Sequence, residues 1–180
     1  MGRIIYKIVE TNQELRQILE LQRINIPSVI SENEKQKEGF VTVHHTFEIL
    51  KAMNDKCAHV IAVNNNEVIG YALCMLKIFK DEIEVLRPMF EQIDSCVQAE
   101  ITYFVMGQIC VDKAYRKQGV FRGMYKFMQQ EMSLTYDLII TEVDIKNTRS
   151  LNAHYAIGFK HLHSYNSKNQ NWELISWDWF

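Results

Sequence analysis

The chain has only two prolines and seven glycines in 180 residues, which excludes collagen-like repeats and proline- or glycine-rich linkers between domains. No stretch reaches the roughly 18 apolar residues of a membrane span, and Met1-Gly2-Arg3-Ile4 opens without the apolar run of a secretory signal. Tyr6 stands where a myristoylation signal needs Ser or Thr. The net charge is −2, too small to supply the extended basic face of a general nucleic-acid binder. Four cysteines (Cys57, Cys74, Cys96, Cys110) form no C-x-x-C pair and have no paired histidines. Free thiols in a reducing compartment are the expectation, with the cytoplasm as location. There is no G-x-x-x-x-G-K-[ST] phosphate loop and no G-x-G-x-x-G turn after a strand, so two familiar nucleotide-binding fingerprints are missing.

What is present is an ordinary globular composition, 47% hydrophobic and 23% charged, expected to fold as a single domain over residues 1–180. One stretch organises it. Ile101 to Val111 is apolar and rich in β-branched or aromatic residues, and reads as a largely buried strand. A basic turn follows, carrying Lys113, Arg116, Lys117 and a single glycine, Gly119. From Val120 onward, Phe121, Met124, Tyr125, Met128 and Met132 recur at helical spacing. The first N–H groups of such a helix lack intrahelical partners, and its dipole adds positive potential at the same end. Gly119 allows close backbone approach, while Lys113, Arg116, Lys117 and Arg122 supply full charges. The turn therefore predicts an anion cradle of the kind that holds a pyrophosphate.

Ile109-Cys110-Val111, four intervening residues, and then Arg116-Lys117-Gln118-Gly119-Val120-Phe121 resemble a motif of the GCN5-related N-acetyltransferases. In that family a hydrophobic strand is followed by Q/R-x-x-G-x-G/A at the start of a helix. Phe121 departs from it, standing where a second Gly or Ala is usual. A second match lies downstream. Leu138 to Asn147 reads as a strand and its exit, and Thr148 to Phe159 as a short helix closed by Gly158. The resemblance covers residues 57 to 180 well and the first 56 loosely. It implies that the turn binds the pyrophosphate of acetyl-CoA while the strand backbone pairs with the pantetheine arm. The implied cofactor-binding residues are Ile109, Cys110, Val111, Arg116, Lys117, Gln118, Gly119, Val120, Phe121, Arg122, Asn147 and Ser150.

The remaining chain reads in order as follows. Arg3 to Val9 is a short strand, and Thr11 to Glu14 fits a capping box that opens a first helix ending near Pro27. Ser31 to Glu38 is a solvated charge run. The resemblance makes Gly39 to His45 a candidate substrate wall. Thr46 to Met53 reads as a second helix. Cys57 to Val63 and Val68 to Phe79 read as strands joined by a turn at Asn64 to Glu67, with Gly70 marking a bulge or a close approach. Residues 80–100 form an insertion with six acidic residues against two basic ones. Pro88 could open a helix there, and an acidic lid would favour a cationic amine. His161 and His163 alternate within a strand without further ligands nearby, so no metal is expected. The tail from Trp172 to Phe180 reads as a final strand whose tryptophans serve packing or a homodimer surface. The whole is expected to be an α/β (α+β) fold, a mixed central sheet of about six or seven strands flanked by about four helices.

The resemblance implies attack of a primary amine, on a small molecule or peptide, at the acetyl thioester. Neither nucleic acid nor membrane is expected as a partner. The donor that polarises the thioester is expected from the backbone at Ile109 to Val111. For protonating the thiolate the family often uses a Tyr four residues before the Gly of Gly-Phe; here His154 holds that position and Tyr155 comes next. Helical spacing puts Asn147, Ser150 and His154 on one face and turns Tyr155 about 100° away, which favours His154. Glu142 is the expected base by family register. It shares a strand face with Asp144, so a coupled pair could raise one pKa. Gln108 could orient water or acceptor but cannot be a base. The alternative to an enzyme is a non-catalytic acetyl-CoA-binding sensor of the same fold.

Overall fold

Thr11 opens the first helix as the capping box requires. Its hydroxyl accepts from the Glu14 N–H at 3.2 Å, and the Glu14 carboxylate accepts from the Thr11 N–H at 2.9 Å. The computed structural model describes residues 2–25 and 45–179. The charge run Ser31 to Glu38 and the wall residues 39–44 lie outside the described residues.

Among the described residues the chain forms seven strands and five α-helices. In order they are β1 (Ile5–Ile8), α1 (Asn12–Arg23), α2 (Phe47–Lys56), β2 (Val60–Asn64), β3 (Glu67–Met75), α3 (Arg87–Cys96), β4 (Tyr103–Val111), α4 (Val120–Met132), β5 (Leu138–Asp144), α5 (Thr148–Tyr155), β6 (Lys160–Ser167) and β7 (Gln170–Asp178). The strands make one mixed sheet, ordered β1-β2-β3-β4-β5-β7-β6. Only the β4–β5 pair is parallel, as the crossover through α4 requires. One face packs on α1, α2 and α3 through Ile18, Leu50, Met53, Phe90 and Ile93; the other packs on α4 and α5 through Met124, Tyr125, Met128 and Leu151. The strand expected to run to Phe79 ends at Met75, and a 3₁₀ turn carries Lys77–Phe79. The helix expected at Pro88 is α3, with Pro88 in its first turn. Its Met89, Phe90 and Ile93 are buried, so it belongs to the core as well as to the acidic insertion.

Gly70 meets both of its expectations. The β2–β3 register slips beside it, and a Cβ there would lie 3.2 Å from the Cys110 carbonyl and 3.3 Å from Val120 Cγ1. The bare backbone lets the first turn of α4 sit down on the sheet, which places the helix N-terminus at the end of β4. A Gly70→Val variant should lose about 1–3 kcal/mol by overpacking, read as a lower urea midpoint at unchanged slope.

Candidate functional site

The sheet opens where β4 and β5 should continue side by side. They pair only from Tyr103↔Leu138 to Val105↔Ile140. The last tie is the Thr141 hydroxyl, which donates to the Met106 carbonyl at 2.8 Å. Beyond it β4 stays paired with β3 through Val111. The β3–β4 register slips between Leu73/Cys74, leaving Gly107 as an extra residue on β4. Gly107 is exposed while its neighbours Met106 and Gln108 are buried, as expected at the mouth of a wedge in the middle of a sheet. The Asp112 N–H donates to Ile69 O at 2.8 Å. In an antiparallel ladder alternate residues bond the same neighbour, so Cys110 and Gln108 also face β3. The N–H and C=O of Ile109 and Val111 therefore face the wedge.

The wedge leads to the basic turn. Lys113–Tyr115 form a 3₁₀ turn capped by Asp112. Lys117 (φ 63°) and Gly119 (φ 82°) both take left-handed backbone, uncommon for a lysine and a local strain of the kind found at ligand sites. Gly119 is the N-cap of α4 and offers no side chain to its free N–H groups, and a Cβ there would meet nothing within 4 Å. The helix end thus faces open space with its positive potential uncompensated.

A cleft of about 320 Å³ lies between this turn, the end of β4 and α5. Of the residues expected to hold the cofactor, Ile109, Cys110, Val111, Arg116, Lys117, Gly119, Val120, Phe121, Arg122, Asn147 and Ser150 line it. Gln118 does not; its amide donates to the Ala114 carbonyl at 2.8 Å and closes the turn on itself. Asn147 caps α5 by accepting from the Ser150 N–H at 3.2 Å. Arg122 donates to the Ala156 carbonyl at 3.2 Å, joining the end of α5 to the start of α4. Sequence reasoning missed Asn25, Tyr115 and Arg149, and also Ala153, Ala156 and Ile157 of the α5 wall. Arg149 follows Asn147 closely enough to have been read from the sequence. Asn25 carried no local signal. The donor set suits an anionic, amide-bearing ligand: cations and helix N–H groups at one end, a strand edge that β5 leaves uncovered at the other.

The three catalytic candidates lie elsewhere. His154 is 1% exposed and points into the core. Its Nδ1 donates to the Ser150 carbonyl at 2.7 Å, which fixes the tautomer, so Nε2 accepts from the Tyr125 hydroxyl at 2.7 Å. Phe121, Tyr125 and Phe159 surround the ring edge-to-face at centroid distances of 5.1, 5.5 and 5.1 Å. Burial lowers its pKa to about 4. The position expected beside the sulfur is thus filled by a neutral ring that does not line the cleft. Tyr155 is half-exposed on the outside of α5 and donates to Glu173. Glu142 is half-buried on the α1–α3 face and accepts from the Tyr165 hydroxyl. Its pKa is raised to about 7, and the cause is burial, which outweighs the Tyr165 bond. The expected coupling to Asp144 is not the cause. Asp144 instead accepts from the Lys146 N–H at 2.9 Å and from Gln170 at 3.3 Å. Continuing the β4–β5 register past Val105↔Ile140 sets Glu142 level with Gly107 across the wedge.

Gln108 is buried on the same face. Its Oε1 accepts from the Tyr71 hydroxyl at 2.7 Å and from Gln22 at 2.5 Å, and Gln22 also bonds the backbone and ring of His45 at 2.9 Å each. Another buried histidine, His59, donates to the Leu50 carbonyl at 3.1 Å and accepts from the Cys74 N–H at 3.0 Å. Burial lowers its pKa to about 3.

These groups set the acid stability. His59 and His154 titrate in the folded chain well below their ordinary 6.5, so the unfolded chain binds more protons once pH falls through 6.5. Stability is then lost by up to about 1.4 kcal/mol per pH unit for each histidine. Glu142 acts oppositely: its burial costs stability above pH 7, and that cost is gone by its ordinary value of 4.5. The urea midpoint should therefore fall between pH 6.5 and 4.5, and less steeply in a His154→Asn variant.

The profile of the acetyltransferase (GNAT) family matches residues 25–159, well over half of the chain. No curated protein matches the chain in sequence. Among solved structures, Arabidopsis thaliana NAA60 in complex with acetyl-CoA superposes with a TM-score of 0.69 at 13% identity, covering 98% of this chain and 99% of that one. Arabidopsis thaliana Naa50 in complex with the bisubstrate analogue CoA-Ac-MVNAL gives 0.65 at 13% identity, covering 97% and 98%. The ribosomal-protein-S18-alanine N-acetyltransferase from Escherichia coli gives 0.65 at 10%, covering 98% and 94%. At such identities the likeness is one of fold, and the family match over most of the chain goes further. The chain belongs to the acetyltransferase (GNAT) family.

Proposed function

We propose that this chain is an acetyl-CoA-dependent N-acetyltransferase acting on a primary amine of a small molecule or peptide. The observation that carries the reading is the continuity of the β4–β5 wedge with the open N-terminus of α4. Such a path suits a ligand with phosphates at one end and a peptide-like arm at the other. Lys117, Arg122 and the α4 N–H groups from Gly119 to Phe121 hold the phosphates; Asn147 and Ser150 form the facing wall. Ile109 and Val111 pair with the arm, with Cys110 between them. Bound acetyl-CoA supplies the acetyl thioester, and the backbone N–H groups facing the wedge polarise its carbonyl oxygen.

The amine enters from the α1–α3 face, past Gly107, whose bare backbone leaves the approach open. Glu142 takes the ammonium proton on its carboxylate, and the Tyr165 hydroxyl orients that carboxylate. A pKa of about 7 suits this exchange near neutrality. Because His154 and Tyr155 face away from the cleft, the departing thiolate takes its proton from solvent. Two of the solved neighbours point to the acceptor class: one carries a peptide-bearing bisubstrate analogue and another is an alanine N-acetyltransferase of a ribosomal protein.

The same orientation of His154 and Tyr155 favours a second reading, a non-catalytic acetyl-CoA-binding module. Release of free CoA thiol from acetyl-CoA, followed across a panel of peptide N-termini, amino acids and polyamines, separates the two. Acceptor-dependent thiol release establishes the enzyme. Saturable acetyl-CoA binding without release for any acceptor establishes the module.

A further inference from the structure

We propose that Arg116 is a positioning residue, whose guanidinium clamps the basic turn to the end of β4 and to the last turn of α1. The clamp sets the spacing between the anion cradle and the strand edge. This inference rests on the reading of the cleft as an acetyl-CoA site, and it gives Arg116 a task other than the phosphate contact that the family motif implies.

The geometry is a fork across three chain segments. Arg116 Nε donates to the Val111 carbonyl at 3.1 Å, and Nη2 donates to Asn25 Oδ1 at 2.8 Å. Asn25 is buried and is held in turn by its own bond to the Leu21 carbonyl of α1 at 2.9 Å. Other bonds close the turn on itself, from the Ala114 N–H to Asp112 at 2.8 Å and from Gln118 to Ala114 at 2.8 Å. Arg116 ties it outward. The residue stands between the 3₁₀ turn and the left-handed Lys117.

The Val111 carbonyl is one of the groups that alternation turns toward the wedge, so the fork also removes a bare acceptor from the path of the arm. An extended ligand is read at both ends: phosphates at Gly119 and amides along β4. A turn that drifts against the strand still binds the phosphates but loses the registry of the arm. Lysine cannot replace the fork, because one ammonium on a flexible stem does not hold two fixed acceptors in different segments.

Two ligands separate positioning from direct contact in the full chain. Acetyl-CoA reads both ends, and 3′-phosphoadenosine 5′-diphosphate keeps the phosphates but lacks the arm. With Arg116→Lys and Arg116→Ala alike, acetyl-CoA affinity should fall about tenfold while the fragment binds within about twofold of wild type. Asn25→Ala should repeat that pattern, and it keeps the test open should Arg116→Ala fail to fold. Lys117→Ala, an exposed phosphate contact, should weaken both ligands alike. If Arg116→Lys keeps acetyl-CoA affinity, or if Arg116→Ala weakens both ligands equally, Arg116 is a charge contact and the positioning role is wrong. Binding of neither ligand by the wild type would overturn the acetyl-CoA reading, and this inference with it.

Discussion

Replacing Gly119 by glutamate should abolish the stabilisation by acetyl-CoA that is expected of the wild-type chain. A ligand at about 100 times its dissociation constant stabilises by about 2.7 kcal/mol, a rise in melting midpoint of a few degrees for a chain of this size. Glutamate at 119 puts a carboxylate at the positive end of α4, where the phosphates would sit, and so occupies and neutralises the cradle. Backbone strain alone does not produce this result. At φ 82° any L-residue at position 119 is strained, while no neighbour within 4 Å crowds its Cβ. Gly119→Ala therefore serves as the control. Its unliganded midpoint should fall, by roughly 1 kcal/mol of strain, yet still rise with acetyl-CoA. A wild type that melts at the same temperature with and without saturating acetyl-CoA would contradict the account.

Glu142→Gln should reduce acetyl transfer by about 10²–10⁴-fold, the range spanned by general-base catalysis. Glutamine keeps the size of the side chain and an oxygen for the Tyr165 hydroxyl, but it cannot accept the proton. The wild type should gain activity as pH rises through about 7, where the carboxyl ionises. That rise should be missing from whatever activity the variant keeps. Stability moves in the opposite sense. Burial of the charged carboxylate costs the wild type above pH 7, so the variant should gain in melting midpoint at pH 8 relative to pH 5. A variant with wild-type turnover and an unchanged pH profile would remove Glu142 from the chemistry. Tyr165→Phe gives a milder check on the same site: without the phenol the carboxyl pKa should rise further, and the activity limb should move to higher pH.

Local signals in the sequence were reliable where the physics is local. The capping box from Thr11 to Glu14, the helix that Gly119 opens, and the buried β4 ahead of it depend on neighbours within a few positions. The cleft residues were legible for the same reason, since a strand, turn and helix carry them in one run. Asn147 and Ser150 follow from a second such run. Pro88 signalled the helix within residues 80–100, whereas the acidic residues around it hid the buried face of α3.

What stayed hidden depends on partners far along the chain. Helical spacing related His154 to Ser150 correctly but could not say that α5 turns this ring toward Tyr125 and Phe121, which belong to α4. Arg116 reads as a phosphate contact until Asn25 appears beside it, 91 positions away. The raised pKa of Glu142 was foreseeable from a carboxylate in a sheet. That Asp144 takes no part in it was not legible, since strand alternation shows Asp144 on the same face but not that the Lys146 amide and Gln170 bond it instead. The wedge itself has a faint signature, Gly107 within an otherwise bulky strand. A glycine there reads equally well as a bulge or as a place where another backbone approaches.

Residue-resolved amide hydrogen exchange with and without acetyl-CoA tests the central claim most directly. The N–H groups of Ile109 and Val111 face the wedge and should exchange readily in the free chain, whereas Cys110 is already bonded to β3. Acetyl-CoA should slow exchange at Ile109, Val111 and the first turn of α4 together, leaving Cys110 unchanged. Protection confined to the α4 turn would make this an anion site without an arm along β4. No change at any of these amides would contradict the placement of the cofactor altogether.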